Sequence, residues 1–205
     1  MSQLKLTADG GGGTVAIKGP ASTTGNNAFE LTVPGTASGT ILTSNSSVGK
    51  ILQVKTAFSN THQTSVSTSY VDLSGLSVSI TPSSSSNKIL IICTIAISKD
   101  DNHSFLGRVV KDGSAISGSG GVKESGHSNQ RDGVWWTIRT TSNHALPSTQ
   151  QFLDTAGSTS AITYKAQGST NNSSAGFAFN RMLSGTDNAF ASPCSSFLTL
   201  MEVAA

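Results

Sequence analysis

The pattern of hydrophobic and polar residues along the chain is that of short β-strands separated by turns. Alternation is clearest in "SYVDLSGLSVSITP", where Leu76, Val78 and Ile80 share one side and hydroxyl residues share the other. "KILIICTIAIS" (residues 88–98) is instead a continuous apolar run rich in isoleucine, the signature of a strand covered on both faces. Its β-branched residues and flanking turn residues argue against a helix.

Further strands follow at regular spacing. "KILQVKTAF" predicts a strand with one bulge or change of face, because Ile51 and Val54 lie on opposite parities. "FLGRVVKDGSAI" predicts a hairpin that turns at Asp112 and Gly113. "GVWWTIRTT", "SAITYKAQGS" and "SSFLTLMEVA" complete a set of eight to ten strands with no credible helix. We therefore predict an all-β antiparallel sandwich, of two-sheet or jelly-roll type, over residues 51–205.

The first fifty residues differ from the rest. Short predicted strands at 14–18, 29–33 and 40–43 are separated by segments rich in Gly, Pro and Ser, and isolated strands of this length are marginal in water. The large apolar side chains of the strands at 29–33 and 40–43 are Phe29, Leu31, Val33, Ile41 and Leu42, and there are few others in this region. Residues 1–50 are therefore predicted to be a separate, extended segment. It either becomes ordered by sharing these side chains between copies of the chain, or is a flexible arm that orders on docking.

The composition and charge of the chain reduce the number of possible functions. Ser and Thr account for 59 of the 205 residues, only 12% of residues are charged, and the formal net charge is +2. The basic residues are scattered, so no nucleic-acid surface is predicted. No apolar segment reaches the length of a signal peptide or a membrane span, so we expect assembly in a cytoplasm without membrane insertion. Cys93 and Cys194 are accordingly predicted to be free thiols.

Two polar clusters are the candidate binding residues. "SKDDNH" contains Asp101 and His103 directly after the buried run, and is predicted to be a loop with too few ligands for a dedicated metal site. "KESGHSNQRDG" is either a binding loop or a connector; it contains Glu124, His127, Arg131 and Asp132. Nothing in the sequence indicates carboxylates held in the pairing that glycoside cleavage needs. No catalytic residue, metal or cofactor is predicted.

The adjacent tryptophans must point to opposite faces if both lie in one strand. Val134, Trp136 and Ile138 share a parity and form the predicted core set, which leaves Trp135 beside Arg139 on the other face. Trp135 then packs in an interface between copies, in the core of the sheet, or against a glycan. We take Trp135 and Arg139 as interface candidates, together with Phe29, Leu31, Val33, Ile41 and Leu42.

The sequence resembles a known class of proteins. "IKGPASTTGNNAFELTVPGTASGTILTS" resembles the N-terminal segments of tail-fibre and related virion proteins of tailed bacteriophages, marine phages among them. The residues that carry the resemblance are Lys18, Pro20, Asn27, Leu31, Val33, Pro34, Gly39 and Leu42. "YVDLSGLSVSITPSSSSNKILI", "TYKAQ" and "FLTLMEVAA" resemble a second domain of the same class. Together the matches cover about half the chain.

The resemblance implies a homotrimeric virion appendage. Residues 1–50 would be the stalk that attaches to another virion protein of the tail or capsid. Residues 51–205 would be a jelly-roll head in contact with a host surface glycan or protein, with Asp101, His103, Glu124, His127, Arg131 and Asp132 as candidate receptor contacts. A capsid decoration or head fibre protein is the alternative, and a carbohydrate-active enzyme the third possibility.

Overall fold

A computed structural model of the chain describes residues 5–7, 14–16, 50–99, 103–121, 125, 133–140, 144–184 and 194–205. The chain divides into two compact units, Met1–Thr43 and Ser44–Ala205. In the first unit, β1 (Lys5–Thr7) pairs antiparallel with β2 (Thr14–Ala16). The predicted strands at 29–33 and 40–43 lie outside the described residues, and the stalk role of this region stays a prediction.

The described part of the second unit consists of β-strands and connecting loops, without a helix, and all of its strand pairs are antiparallel. The all-β prediction is confirmed. The strands are β3 (Ile51–Ser59), β4 (Gln63–Ser65), β5 (Val71–Ile80), β6 (Lys88–Lys99), β7 (Phe105–Lys111), β8 (Ser114–Ala115), β9 (Trp136–Ile138), β10 (Leu146–Thr155), β11 (Ile162–Thr170), β12 (Phe177–Phe179) and β13 (Ser196–Val203).

The first sheet is built around β6. Along one edge β6 pairs with β10, and along the other it pairs first with β13 and then with β12. β3 lies outside β13 and β4 lies outside β12. The sheet is therefore four strands wide. Its order is β10, β6, β13 and β3 toward one end of β6, and β10, β6, β12 and β4 toward the other. The predicted bulge in β3 is present: Gln53 and Ile51 pair with the consecutive residues Glu202 and Val203, which leaves Leu52 as the extra residue.

The second sheet has β11 between β5 and β7, and both β8 and β9 lie along the outer edge of β7. The predicted hairpin turn joins β7 to β8. Asp112 and Gly113 adopt φ values of 48° and 82°, the left-handed conformation that a two-residue hairpin turn requires and that Gly adopts without steric cost. The hairpin prediction is confirmed.

The core lies between the two sheets. β6 contributes alternate residues from Ile89 to Ile97, which are fully buried, and they pack against Leu76 and Val78 of β5 and Tyr164 of β11. One part of the prediction for β6 is wrong for the single chain. Its inward face is fully buried, but its outward residues from Lys88 to Thr94 keep intermediate exposure, because only one sheet packs against it.

The core contains a pair of glycines under an aromatic ring. Gly107 and Gly168 face each other across β7 and β11. A Cβ atom would come within 2.7 Å of the Phe105 ring at Gly107 and within 2.5 Å at Gly168. Phe105 is fully buried and meets Phe177 of the first sheet edge-on, with ring centroids 4.9 Å apart. The absence of side chains at the two glycines therefore leaves the space that this aromatic contact occupies.

Two buried polar groups tie strands of the first sheet together. Asn180 has a φ of 58°, a conformation that Asn tolerates better than most residues. Its amide donates to the carbonyl of Ser59 at 3.0 Å, and its carbonyl oxygen accepts from the Ser196 hydroxyl at 2.6 Å. Glu202 of β13 is fully buried at the end of the same sheet. It accepts hydrogen bonds from Ser83 and Asn87 in the loop between β5 and β6.

Candidate functional site

The outward face of the second sheet carries a row of polar side chains across three strands. Asp72, Gln167 and Arg108 are neighbours in register on β5, β11 and β7. The Gln167 amide donates to Asp72 Oδ1 at 2.7 Å, and Arg108 Nε donates to Gln167 Oε1 at 2.9 Å. Each side chain therefore holds the next, and the three form a fixed line of donors and acceptors, which we call the polar row.

The polar row is extended at both ends. Lys165 Nζ lies 2.9 Å from Asp72 Oδ2, with both side chains about half exposed. At the other end the Arg108 guanidinium lies 4.0 Å from the centroid of the Tyr70 ring, a cation–π contact. Hydrogen bonds from Gln167 and then from Lys165 lower the pKa of Asp72 below its usual value. Asp72 thus stays ionised at neutral pH, and the row can hydrogen-bond a hydroxyl-rich or charged ligand.

The outward face of the first sheet is apolar. Leu153, Leu90, Met201 and Val54 form one continuous row across β10, β6, β13 and β3. Leu153 and Val54 are each 53% exposed, and they lie on the two edge strands. Further large apolar side chains on this face are Ile51, Phe58, Ile92, Phe197 and Val203. We call this surface the apolar face.

The hydroxyl groups on the apolar face are paired with one another. Thr56 and Thr199 lie opposite each other on β3 and β13, with their hydroxyl oxygens 3.2 Å apart. Thr94 and Thr149 lie opposite each other on β6 and β10, with hydroxyl oxygens 2.8 Å apart. Because these hydroxyls satisfy each other, the free-energy cost of removing water from this face is lower than its composition suggests.

Of the predicted receptor contacts, the structure describes His103. It lies just before β7 and is half-buried, with its Nε2 2.9 Å from the side-chain nitrogen of Asn172. The next residue, Ser104, donates its backbone N–H to Asn171 at 2.8 Å. His103 therefore packs against the loop that follows β11. Asp101, Glu124, His127, Arg131 and Asp132 lie outside the described residues, and their role stays a prediction.

Of the interface candidates, the structure describes Trp135 and Arg139. Trp135 is 8% exposed and belongs to the core, although it was predicted to lie on the opposite face from Trp136. Both tryptophans are buried because β9 begins only at Trp136, so strict alternation does not apply at Trp135. Its indole N–H donates to the Ser119 hydroxyl at 2.8 Å. Arg139 is exposed just beyond β9.

The interface candidates in the first fifty residues are Phe29, Leu31, Val33, Ile41 and Leu42, and all five lie outside the described residues. The folded chain itself already covers more than nine-tenths of Trp135. Little of this tryptophan is left to contact another copy of the chain, and the structure places it where the sheet-core interpretation expected it.

Catalysis and metal binding both need polar side chains that converge on one point, and the described residues offer little of this kind. Within them, no three His, Cys, Asp or Glu side chains converge as metal ligands would. An open groove of about 510 Å³ runs beside β4, lined mainly by hydroxyl and aliphatic groups: Thr64, Ser65, Val66, Ser67, Gly176 and Leu183. Such a lining supplies hydrogen bonds and apolar contacts. It brings together no acid–base pair.

No family model matches the chain, and no curated protein does. Among the residues that the structure describes, none belongs to a helix long and apolar enough to span a membrane.

The polar row and the apolar face were both missed by the sequence analysis. For the polar row the signal was partly present, because Lys165, Gln167 and Arg108 occupy outward parities of predicted strands. Asp72 shares the parity of Leu76, Val78 and Ile80, and it faces outward because the register shifts within β5. The strand order that places them side by side was not available from one sequence. For the apolar face the signal was the unbroken apolar run of β6, which predicts a strand covered on both faces.

Proposed function

We propose that this chain is a structural, non-enzymatic subunit of a bacteriophage virion appendage. In this proposal residues 1–50 form a trimeric stalk that attaches to another virion protein. Residues 51–205 form a head that contacts the host cell surface. The resemblance in the first fifty residues and in the strands of the sandwich supports this assignment.

We infer further that the sandwich is a jelly roll. Eight strands span the two sheets four abreast: β3, β5, β6, β7, β9, β10, β11 and β13. The first of these pairs with the eighth, the second with the seventh, the third with the sixth and the fourth with the fifth. This nested pairing is what results when one long antiparallel ribbon is wound into two sheets, and it supports a double Greek-key topology.

The observation that carries the functional proposal is the contrast between the two outward sheet faces. One face presents the polar row, and the other presents large apolar side chains such as Val54 and Leu153. Contiguous apolar surface is rare on proteins that work as monomers, and it marks interaction surfaces. A subunit that binds within an assembly through one side and faces the surroundings with the other accounts for both.

In the proposed head the polar row and the loop around His103 are the host-facing groups. Side chains such as Arg108 and Asp72 hydrogen-bond sugar hydroxyls or protein side chains. Each contact of this kind is weak, because it is exposed to water. Three copies on one particle strengthen attachment through their effective concentration, without any one site needing high affinity.

Two measurements test the proposal. Antibody labelling of intact particles should place the chain on the tail, and purified protein should compete with phage particles for adsorption to host cells. The Arg108→Ala variant should compete less well than the wild type, while the control Ser79→Ala, on the same sheet face, should compete equally. Both variants must retain the wild-type circular dichroism spectrum.

Other outcomes identify the alternatives. Label on the capsid without competition for adsorption would overturn the host-contact role in favour of capsid decoration. Release of reducing sugar from host polysaccharide, abolished by Glu124→Gln or Asp132→Asn, would overturn the non-enzymatic assignment. Absence of the chain from purified particles would overturn the virion role altogether.

A further inference from the structure

The apolar face lacks the second covering layer that its sequence predicts. The run in β6 has the unbroken apolar character of a strand buried on both sides. In the single chain, Leu90 and Ile92 of this run remain half-exposed on the outward side. Neighbouring strands continue the same surface with Val54 and Leu153, each 53% exposed. A layer from outside the sandwich is needed to complete the burial.

The face is also suited to a dry contact. Its hydroxyls are paired, as shown for Thr94 and Thr149. The charged residue in its rows is Lys88, at one end, where the ammonium group donates to the Thr155 hydroxyl at 2.8 Å. Gln151 of β10, beside Ile92, is the exposed amide on this face. A glycan, which offers many hydroxyls, would find few hydrogen-bond partners here besides Gln151. A surface with the same apolar composition is the fitting partner, and a second copy of this face is such a surface.

The dimensions of the face can be compared with those of protein interfaces. Four strands at about 4.8 Å spacing give a width of about 19 Å, and the stretch of β6 from Lys88 to Thr94 gives a length of about 24 Å. The resulting flat area is about 450 Å², more than half of the ~800 Å² per partner that stable complexes bury. It is as large as the largest apolar patches on monomers, about 300–600 Å², which are often functional.

We propose that three copies of the chain pack their apolar faces around a common threefold axis. Three flat sheets about 19 Å wide enclose a triangular prism whose faces lie about 5.5 Å from the axis. Side chains extend about 5 Å from a sheet, half of the ~10 Å at which sheets pack face to face. Four strands is thus the width at which side chains fill the centre without a void. The edge-strand residues Val54 and Leu153 then meet neighbouring copies at the corners.

This inference rests on the trimeric state in the proposed function and assigns its interface to the sandwich itself. It does not depend on contacts between the first fifty residues. The stalk could hold three chains together even when the faces separate, so the test must report on the face directly. Thiol reactivity at one position does this in the full-length protein.

The test compares Val54→Cys with Ser77→Cys, an exposed outward position on the second sheet. At a concentration where light scattering gives the mass of three chains, we expect the thiol at 54 to react with Ellman's reagent at least about tenfold more slowly than the thiol at 77. The rate of the wild type, which contains Cys93 and Cys194, is subtracted. Adding Leu153→Lys to the Val54→Cys variant should restore fast reaction.

The outcomes separate this inference from the proposed function. Equal rates at 54 and 77 in a trimer would overturn the interface and leave the virion role standing. A wild-type mass of two chains would overturn the threefold arrangement, and a mass of one chain would overturn the interface together with the trimeric state. A slow thiol at 54, released by Leu153→Lys, would uphold the interface even where particle labelling and adsorption assays fail.

Discussion

Replacement of Glu202 by Gln is the sharpest test of what stabilises the sandwich. The carboxylate is fully buried at the end of the first sheet. Oε1 accepts from the Ser83 backbone N–H at 2.7 Å, from the Ser83 hydroxyl at 2.8 Å and from Asn87 Nδ2 at 2.6 Å. Oε2 accepts from Gln53 Nε2 at 2.6 Å. Every one of these partners donates, so an amide nitrogen in the same place would face another donor.

The pKa of Glu202 sets the magnitude of the effect. Burial alone would raise it, but hydrogen bonds from Gln53, Asn87 and Ser83 outweigh burial and lower the pKa from 4.5 to about 2. At ~1.4 kcal/mol per pH unit, this difference corresponds to about 3 kcal/mol of folding free energy. Because the folded pKa is the lower one, this contribution is complete above pH 4.5 and is lost as the pH falls from 4.5 to 2.

The assay is urea denaturation of the wild type and of Glu202→Gln at fixed chain concentration, at pH 7, 4.5, 3 and 2.5. We expect the variant to be less stable by about 3 kcal/mol at pH 7, and the two proteins to converge toward pH 2.5. As a control, Asp72→Asn removes a half-exposed carboxylate and should cost less than about 1 kcal/mol. If the difference between wild type and Glu202→Gln were the same at pH 7 and pH 2.5, the charge of Glu202 would not be the source of its effect.

Three further predictions concern the core. Gly168→Ala should lower the free energy of unfolding by about 1–3 kcal/mol, because the new methyl group meets the Phe105 ring; Gly121→Ala, with 3.7 Å to its nearest neighbour, should change it by less than about 0.5 kcal/mol in the same denaturant titration. Asn180→Ala should cost about 2–4 kcal/mol in thermal or denaturant unfolding, since it leaves buried donors and acceptors unpaired; a change below about 0.5 kcal/mol would contradict this. Burial raises the pKa of the Cys93 thiol, so mass spectrometry should find it unmodified by iodoacetamide until denaturant unfolds the chain.

Strand positions were predictable where one face of a strand is buried by its own chain. Leu76, Val78 and Ile80 alternate cleanly, and β5 contains all three on its buried side. The turn at Asp112 and Gly113 was predictable for a local reason, because these residues adopt the left-handed conformation at little steric cost. Both signals are contained within a few neighbouring residues.

Strand β10 was missed because its sequence carries no such local signal. It contains Pro147, Gln150 and Gln151, and seven of its ten residues are exposed. What orders it is ten consecutive backbone pairings with β6, as between Leu153 and Leu90. An edge strand needs only one neighbour and little apolar surface. The formation of β10 therefore depends on the whole sheet, and the sequence of the segment alone does not predict it.

The candidate sites were harder to predict than the strands. The polar clusters around Asp101 and Glu124 are predicted to be loops from composition, and they lie outside the described residues. The polar row is assembled from β5, β7 and β11, far apart in the chain. Trp135 was placed on the wrong side for a simpler reason. Parity arguments assume a regular strand, and the chain becomes regular only at Trp136.

The pairing of β3 with β13 has a consequence for how the protein folds. In sequence these are the first and the last strands of the sandwich. Residues as distant along the chain as Phe58 and Phe197 must come together before the first sheet is complete. Nested pairings of this kind give a high contact order, which slows folding to the range of about milliseconds to seconds. Until β13 inserts, the inner edge of β6 and the whole of β3 are open to strands of other chains. A chain in which β13 has not yet paired therefore exposes strand edges that favour aggregation, and the pairing of this last strand removes them.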